Sequence, residues 1–146
     1  MARVLIVVVV VVAALAIAWL LQRRRPDAPT RTGYAVPEQV DRADFAHPDA
    51  PWLVAVFTSA TCATCADVMT KARLLASDAV AVEEVEYVRD RDRHERYAID
   101  AVPALLLVDD AGVVQRSFLG PVTATHLWAA LAELREPGVM PPGCGA

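Results

Sequence analysis

Six consecutive apolar residues, Trp52-Leu53-Val54-Ala55-Val56-Phe57, run within a short stretch into the pair Cys62-Ala63-Thr64-Cys65. The run is β-branched and aromatic, too short for an ordinary helix, and preceded by the turn-forming His47-Pro48-Asp49-Ala50-Pro51. It predicts a strand buried on both faces. Beyond it, Cys65, Val68, Met69, Ala72, Leu75 and Ala76 recur at helical spacing and predict an amphipathic helix. Thr61 is placed to cap that helix, and Asp67 with Lys71 forms an i, i+4 surface pair on its other side. Two thiols at such a junction can close a disulfide within one helical turn. The helix N-terminus favours the thiolate of the first.

The remaining elements follow from turn chemistry and periodicity. Residues 36–40 suit a short edge strand, since Pro37 is tolerated only at an edge. Asp41 is a candidate N-cap for a helical turn through Phe45. Residues 80–87 read as a strand interrupted by Glu83, Glu84 and Glu86, and residues 89–96 as a charged loop with a short helix. Ala104-Leu105-Leu106-Leu107-Val108 is a second fully apolar strand, turned by Asp109-Asp110-Ala111-Gly112 into a hairpin with residues 113–119. A last helix, residues 123–136, presents Leu127, Ala130, Leu131 and Leu134 on one face and stops at Pro137-Gly138. Strands joined by helices, then a hairpin and a covering helix, predict a three-layer α/β/α sandwich on a mixed central sheet. His47, His94 and His126 are expected in loops or on the surface.

The N-terminus is of a different kind. Residues 4–21 form an uninterrupted apolar run of 18, which would span about 27 Å as a helix, close to a hydrocarbon core. Arg23-Arg24-Arg25 follows as a stop-transfer flank, Trp19 suits an interface, and no small-x-small cleavage site follows the run. Residues 1–22 are therefore expected to be a transmembrane anchor and 23–33 a basic, Pro-containing linker. The domain would occupy 34–136, with a Pro- and Gly-rich tail at 137–146. Five arginines and one acid precede Gly33, whereas nine basic and seventeen acidic residues follow it. An acidic domain disfavours nucleic acid as a partner, and the arginines belong to the membrane boundary. By the positive-inside rule the domain faces the cytoplasm; an extracytoplasmic domain is the alternative.

The strand at Leu53 to Phe57, the Cys62-Ala63-Thr64-Cys65 pair and the segment Tyr97-Ala98-Ile99-Asp100-Ala101-Val102-Pro103 are matched by a turn at Asp110-Ala111-Gly112 and by Gly120. Together they resemble the thioredoxin superfamily, in particular membrane-anchored bacterial thioredoxin-like proteins, over nearly all of residues 34–136. The resemblance implies a thioredoxin fold and a thiol:disulfide oxidoreductase with no cofactor beyond its own dithiol. Cys62 would be the nucleophile and a shielded Cys65 the resolving thiol. Pro103 would be cis and face the pair, and with the Val102 backbone would offer an edge to the substrate, with Thr61 on the rim. Partners would be protein or small-molecule thiols and disulfides, and an upstream electron donor or acceptor. A non-catalytic interaction module of the same fold is the rival reading.

Three positions depart from the family pattern. Thr61 stands where Trp is frequent, Ala63-Thr64 replaces Gly-Pro, and Val56 occupies the place of a buried Asp. Without that Asp, the Cys65 proton must go to water, to substrate or to another acid. Glu84 is a candidate, although a solvent-facing strand residue is the simpler expectation. Zinc would need two ligands beyond the pair, and Cys144 with His47, His94 or His126 lacks the paired spacing. Ala66 after Cys65 does not fit the haem-attachment motif.

Overall fold

The computed structural model describes residues 36–138. Four strands form one sheet in the order β2-β1-β3-β4: β1 is Trp52–Thr58, β2 Val80–Glu86, β3 Ala104–Val108 and β4 Val114–Leu119. β1 pairs parallel with β2 and antiparallel with β3, and β3 pairs antiparallel with β4. Their places follow from composition. The two most apolar strands, β1 and β3, are central and buried throughout, apart from Trp52 at the start of β1; Thr58 is the one polar residue in them. β2 and β4, which carry polar side chains, take the edges, where one side remains near water.

Period-two alternation divides the core between two faces. Leu53, Ala55, Phe57, Leu106 and Val108 pack on one side with Val40, Phe45, Tyr97 and Ile99. Val54, Val56, Leu105 and Leu107 pack on the other with two helices, α1 (Cys65–Arg73) and α3 (Ala124–Arg135). α1 contributes Val68, Met69 and Ala72, and α3 contributes Leu127, Ala130 and Leu131. The short helix α2 (Arg91–Arg96) lies beside β2, and its buried His94 packs against Phe57 of the first face. The three-layer α/β/α arrangement expected from element order is therefore present in residues 36–138.

Several local expectations change. Residues 36–40 do not form a strand. Only an isolated bridge joins Gln39 to Val113, because Pro37 cannot donate to a ladder. The segment is held by hydrogen bonds from the N–H groups of Val40 and Val114 to the carbonyls of Gly112 and Glu38. Gly112 is at φ +82°, and a Cβ there would come within 2.2 Å of the Val40 carbonyl oxygen, so only glycine fits. Asp41 does cap a 3₁₀ turn, Arg42–Asp44, by accepting from the Ala43 N–H. Arg42 is buried, and its guanidinium donates to the carbonyls of Asp109, His47 and Ala50.

α1 ends at Arg73 rather than near Ser77, leaving Leu75 half-buried and Ala76 exposed. Its last turn tightens through Leu75 N–H to Ala72 and Ala76 N–H to Arg73, and Ser77 then exchanges backbone hydrogen bonds with Val80 to start β2. The three glutamates of β2 each have specific partners. Glu83 pairs with Arg93 and accepts from the Ala46 N–H, Glu84 accepts from Thr58, and Glu86 accepts from the amides of Ala60, Val88 and Arg89.

His94 is not a surface residue. It is 2 % exposed, with Phe57 and Tyr87 edge-on to its ring and Nε2 2.9 Å from the Val85 carbonyl oxygen. A helix of six residues, Arg-Asp-Arg-His-Glu-Arg, must turn one side chain inward, and the imidazole is the least costly of these to bury. Among the described residues no helix is long and apolar enough to cross a membrane. The expected anchor, the linker and Cys144 lie outside the described residues.

Candidate redox site

β1 delivers the chain from the middle of the sheet to its C-terminal edge, where Ser59 begins a turn closed by the Cys62 N–H to the Ser59 carbonyl at 3.0 Å. The Ala60 N–H donates to Glu86 Oε1 at 3.2 Å, tying this turn to the end of β2. The same carboxylate accepts from the backbone N–H of Arg89, the main reason its pKa lies below the ordinary glutamate range. In the sequence Glu86 reads only as an interruption of a strand. Its only sequence signal is position: it ends β2 in register with Thr58, the last residue of β1.

Cys62 and Cys65 are joined in a disulfide, their Cα atoms 5.5 Å apart. Cys62 is half-buried, whereas Cys65 is only 4 % exposed and continues the apolar stripe of α1. One sulfur is thus reachable and the other is shielded. The helix begins later than its pattern suggested, at Cys65 rather than just after Thr61. Ala63 and Thr64 form a turn closed by the Cys65 N–H to the Cys62 carbonyl at 3.4 Å. Thr64 is the N-cap by position but makes no side-chain capping bond. Its Oγ1 instead lies 3.8 Å from Cys62 Sγ. Thr61 does not cap the helix: its hydroxyl is 3.2 Å from Ser59 Oγ, and the residue is exposed beside Cys62.

The Val102-Pro103 bond is cis. Phe57 pairs with Ala104 across the β1–β3 ladder, so Pro103 lies next beyond the pairing, at the end of β1 from which the disulfide turn departs. Pro103 is buried, and its carbonyl accepts from the Gly120 N–H at 2.8 Å. Val102 is half-buried and lines one cleft together with Ser59. The register therefore brings Cys62, Cys65, Thr61, Val102 and Pro103 to one end of the sheet.

Val56 is fully buried in register with Glu84. Glu84 is no free solvent-facing residue: Oε1 accepts from the buried Thr58 hydroxyl at 3.0 Å, and Oε2 lies 3.4 Å from Arg73. Among the described residues no group of three or more His, Cys, Asp or Glu side chains could hold a metal ion.

This four-stranded mixed sheet with its covering helices is shared with solved structures. A mutant thioredoxin of Halobacterium salinarum NRC-1 superposes with a TM-score of 0.57 at 21% identity, covering 75% of this chain and 100% of that one. The fold is that of thioredoxin. Thioredoxin O2 of Arabidopsis thaliana in its oxidized state matches with a TM-score of 0.53 at 20% identity over 64% of this chain and 89% of its own. A structure described as a malarial protein gives 0.51 at 13% identity, covering 56% of this chain and 94% of that one. No family model matches the sequence, and a search of curated proteins returns no match. At these identities the likeness establishes the thioredoxin fold.

Proposed function

We propose that the chain is a membrane-tethered thiol:disulfide oxidoreductase whose dithiol acts on protein or small-molecule disulfides. One observation carries the reading: within a thioredoxin fold, a half-buried Cys62 is disulfide-bonded to a buried Cys65 at the end of the central strand. In the reducing direction, the Cys62 thiolate attacks one sulfur of the substrate disulfide. A Cys62–substrate S–S bond forms, the substrate bond breaks, and its second sulfur leaves with the Cys65 proton. The Cys65 thiolate then attacks Cys62 Sγ, closing the protein disulfide and releasing the other substrate sulfur, which takes a proton from water. Two electrons pass from dithiol to substrate, and an external dithiol of the electron donor restores the starting state. The same steps run backwards make the protein an oxidant.

The Val102 backbone and Pro103 serve in this reading as the edge against which the substrate segment lies, and Thr61 forms a small polar rim. A leaving thiolate as proton acceptor suits a site where Val56 supplies no carboxylate. Residues 4–21 would hold the domain at the membrane, on its cytoplasmic side by the arginine bias.

The test is disulfide reduction by the full chain with dithiothreitol as donor. Cys62→Ser is expected to abolish turnover, and Cys65→Ser to accumulate a mixed disulfide through Cys62. Full activity of Cys62→Ser overturns the reading. If both variants keep partner binding and neither thiol turns over in the parent protein, the domain is an interaction module instead.

A further inference from the structure

Beside the disulfide turn, on the α2 side of the sheet, lies an open cleft of about 640 Å³, within the size range of small-ligand sites. Ser59 and Val102 form its end nearest the cysteine pair. Tyr87 and Ile99 supply apolar wall, and Tyr87 is 42 % exposed. Among the described residues, the charged side chains of the lining are Glu95 and Asp100, both acidic. Asp100 has no ion-pair partner among the described residues, and Glu95 meets only Arg91, both side chains being more than half exposed. Such an exposed pair is exchanged at little cost.

His94 adds an independent observation. It lines the same cleft, and a carbonyl can only accept, so the Nε2 facing Val85 carries the ring proton. In the neutral ring Nδ1 is then an acceptor, buried and without a hydrogen-bond partner among the described residues. The Tyr87 ring stands edge-on to His94, 5.3 Å between centroids, and is the exposed member of the pair. Apolar walls, two carboxylates and a buried acceptor lacking a donor suit a long aliphatic stem ending in a multivalent N–H cation.

We propose that this cleft seats a lysine or arginine side chain of the substrate, a few residues from the cysteine under attack. The stem lies along Tyr87 and Ile99, and the cation meets Glu95 and Asp100. A shift of the cleft lining opens the buried Nδ1 of His94 to one of its N–H groups. The proposal rests on the oxidoreductase reading and adds to it a substrate class: thiol or disulfide segments with a basic residue beside the cysteine.

The experiment uses the full chain, reduced with dithiothreitol, and peptides carrying one cysteine in a disulfide with 2-thiopyridine. The peptides differ only in a lysine, norleucine or glutamate near that cysteine. At low ionic strength the second-order rate constant is expected to be about fivefold or more higher for the lysine peptide than for the glutamate one, with the ratio falling as salt is added. The double substitution Glu95→Gln, Asp100→Asn is expected to bring the ratio close to one. Removing two charges across the sheet, Glu133→Gln with Glu136→Gln, is expected to leave it near the parent value. A parent ratio near one, retention of the ratio by the cleft variant, or an equal fall in the distant variant overturns the proposal. Bis(2-hydroxyethyl) disulfide, small and uncharged, separates the two readings. If the parent protein does not reduce it, the oxidoreductase reading falls and the cleft proposal with it; if it does so without discriminating charge among the peptides, the cleft proposal alone falls.

Discussion

Thr64 stands between the two cysteines with its hydroxyl 3.8 Å from Cys62 Sγ, placed to donate to the thiolate once the disulfide is reduced. Thr64→Val is expected to raise the Cys62 thiol pKa, read from thiolate absorbance against pH; an unchanged titration would refute the contact. Asp44 offers a second test at this scale. The Tyr97 hydroxyl donates to it and Arg96 pairs with it, together holding its pKa below the ordinary 3.8. A carboxylate depressed by folding contributes stability above its unfolded pKa and loses it as pH falls through the lower folded value. Denaturant midpoints should therefore decline below about pH 4, and Asp44→Asn should flatten that decline; an unchanged acid limb would refute the assignment.

Among the elements, β1 organises the site and its neighbours hold it there. Glu86 at the end of β2 takes the Ala60, Val88 and Arg89 amides on one carboxylate, bracing the turn that carries Cys62. Glu86→Ala is expected to speed exchange of the Ala60 amide by roughly tenfold, measured by hydrogen exchange, with smaller effects in β1. α3 closes the opposite layer through Leu127, which is fully buried against α1 and the sheet. Leu127→Ala should cost about 2–5 kcal/mol of stability in urea unfolding, because the sheet and helices around it cannot collapse into the void.

For the whole molecule, the proposed tether decides which donors and substrates the dithiol can meet. In a Cys144→Ser background, a membrane-impermeant maleimide applied to intact cells under reducing conditions is expected to leave Cys62 unlabelled until the cells are permeabilised. Labelling from outside would place the domain on the other face and make electron exchange with an extracytoplasmic partner the better reading.

The alternation of apolar and polar residues was enough to order the elements. Two uninterrupted apolar runs could only be central strands, and the cysteine pair between strand and helix periods marked the site, because burial periodicity is local information carried by neighbouring residues. Side-chain partnerships across the chain were not legible in the same way. The helix start moved from Thr61 to Cys65 because the two intervening residues close a turn on Cys62 instead. Glu83, Glu84 and Glu86 read as interruptions of a strand, yet each meets a partner far along the chain. His94 looked like one more polar residue in a charged run until α2 packed on the sheet and turned it inward. Sequence alone determined a buried central strand ending in a Cys62–Cys65 dithiol. The apolar stripe already marked Cys65 as the shielded sulfur, whereas only the tertiary structure decided what braces the turn and that a cleft with two carboxylates lies beside it, since those depend on register between strands distant in sequence.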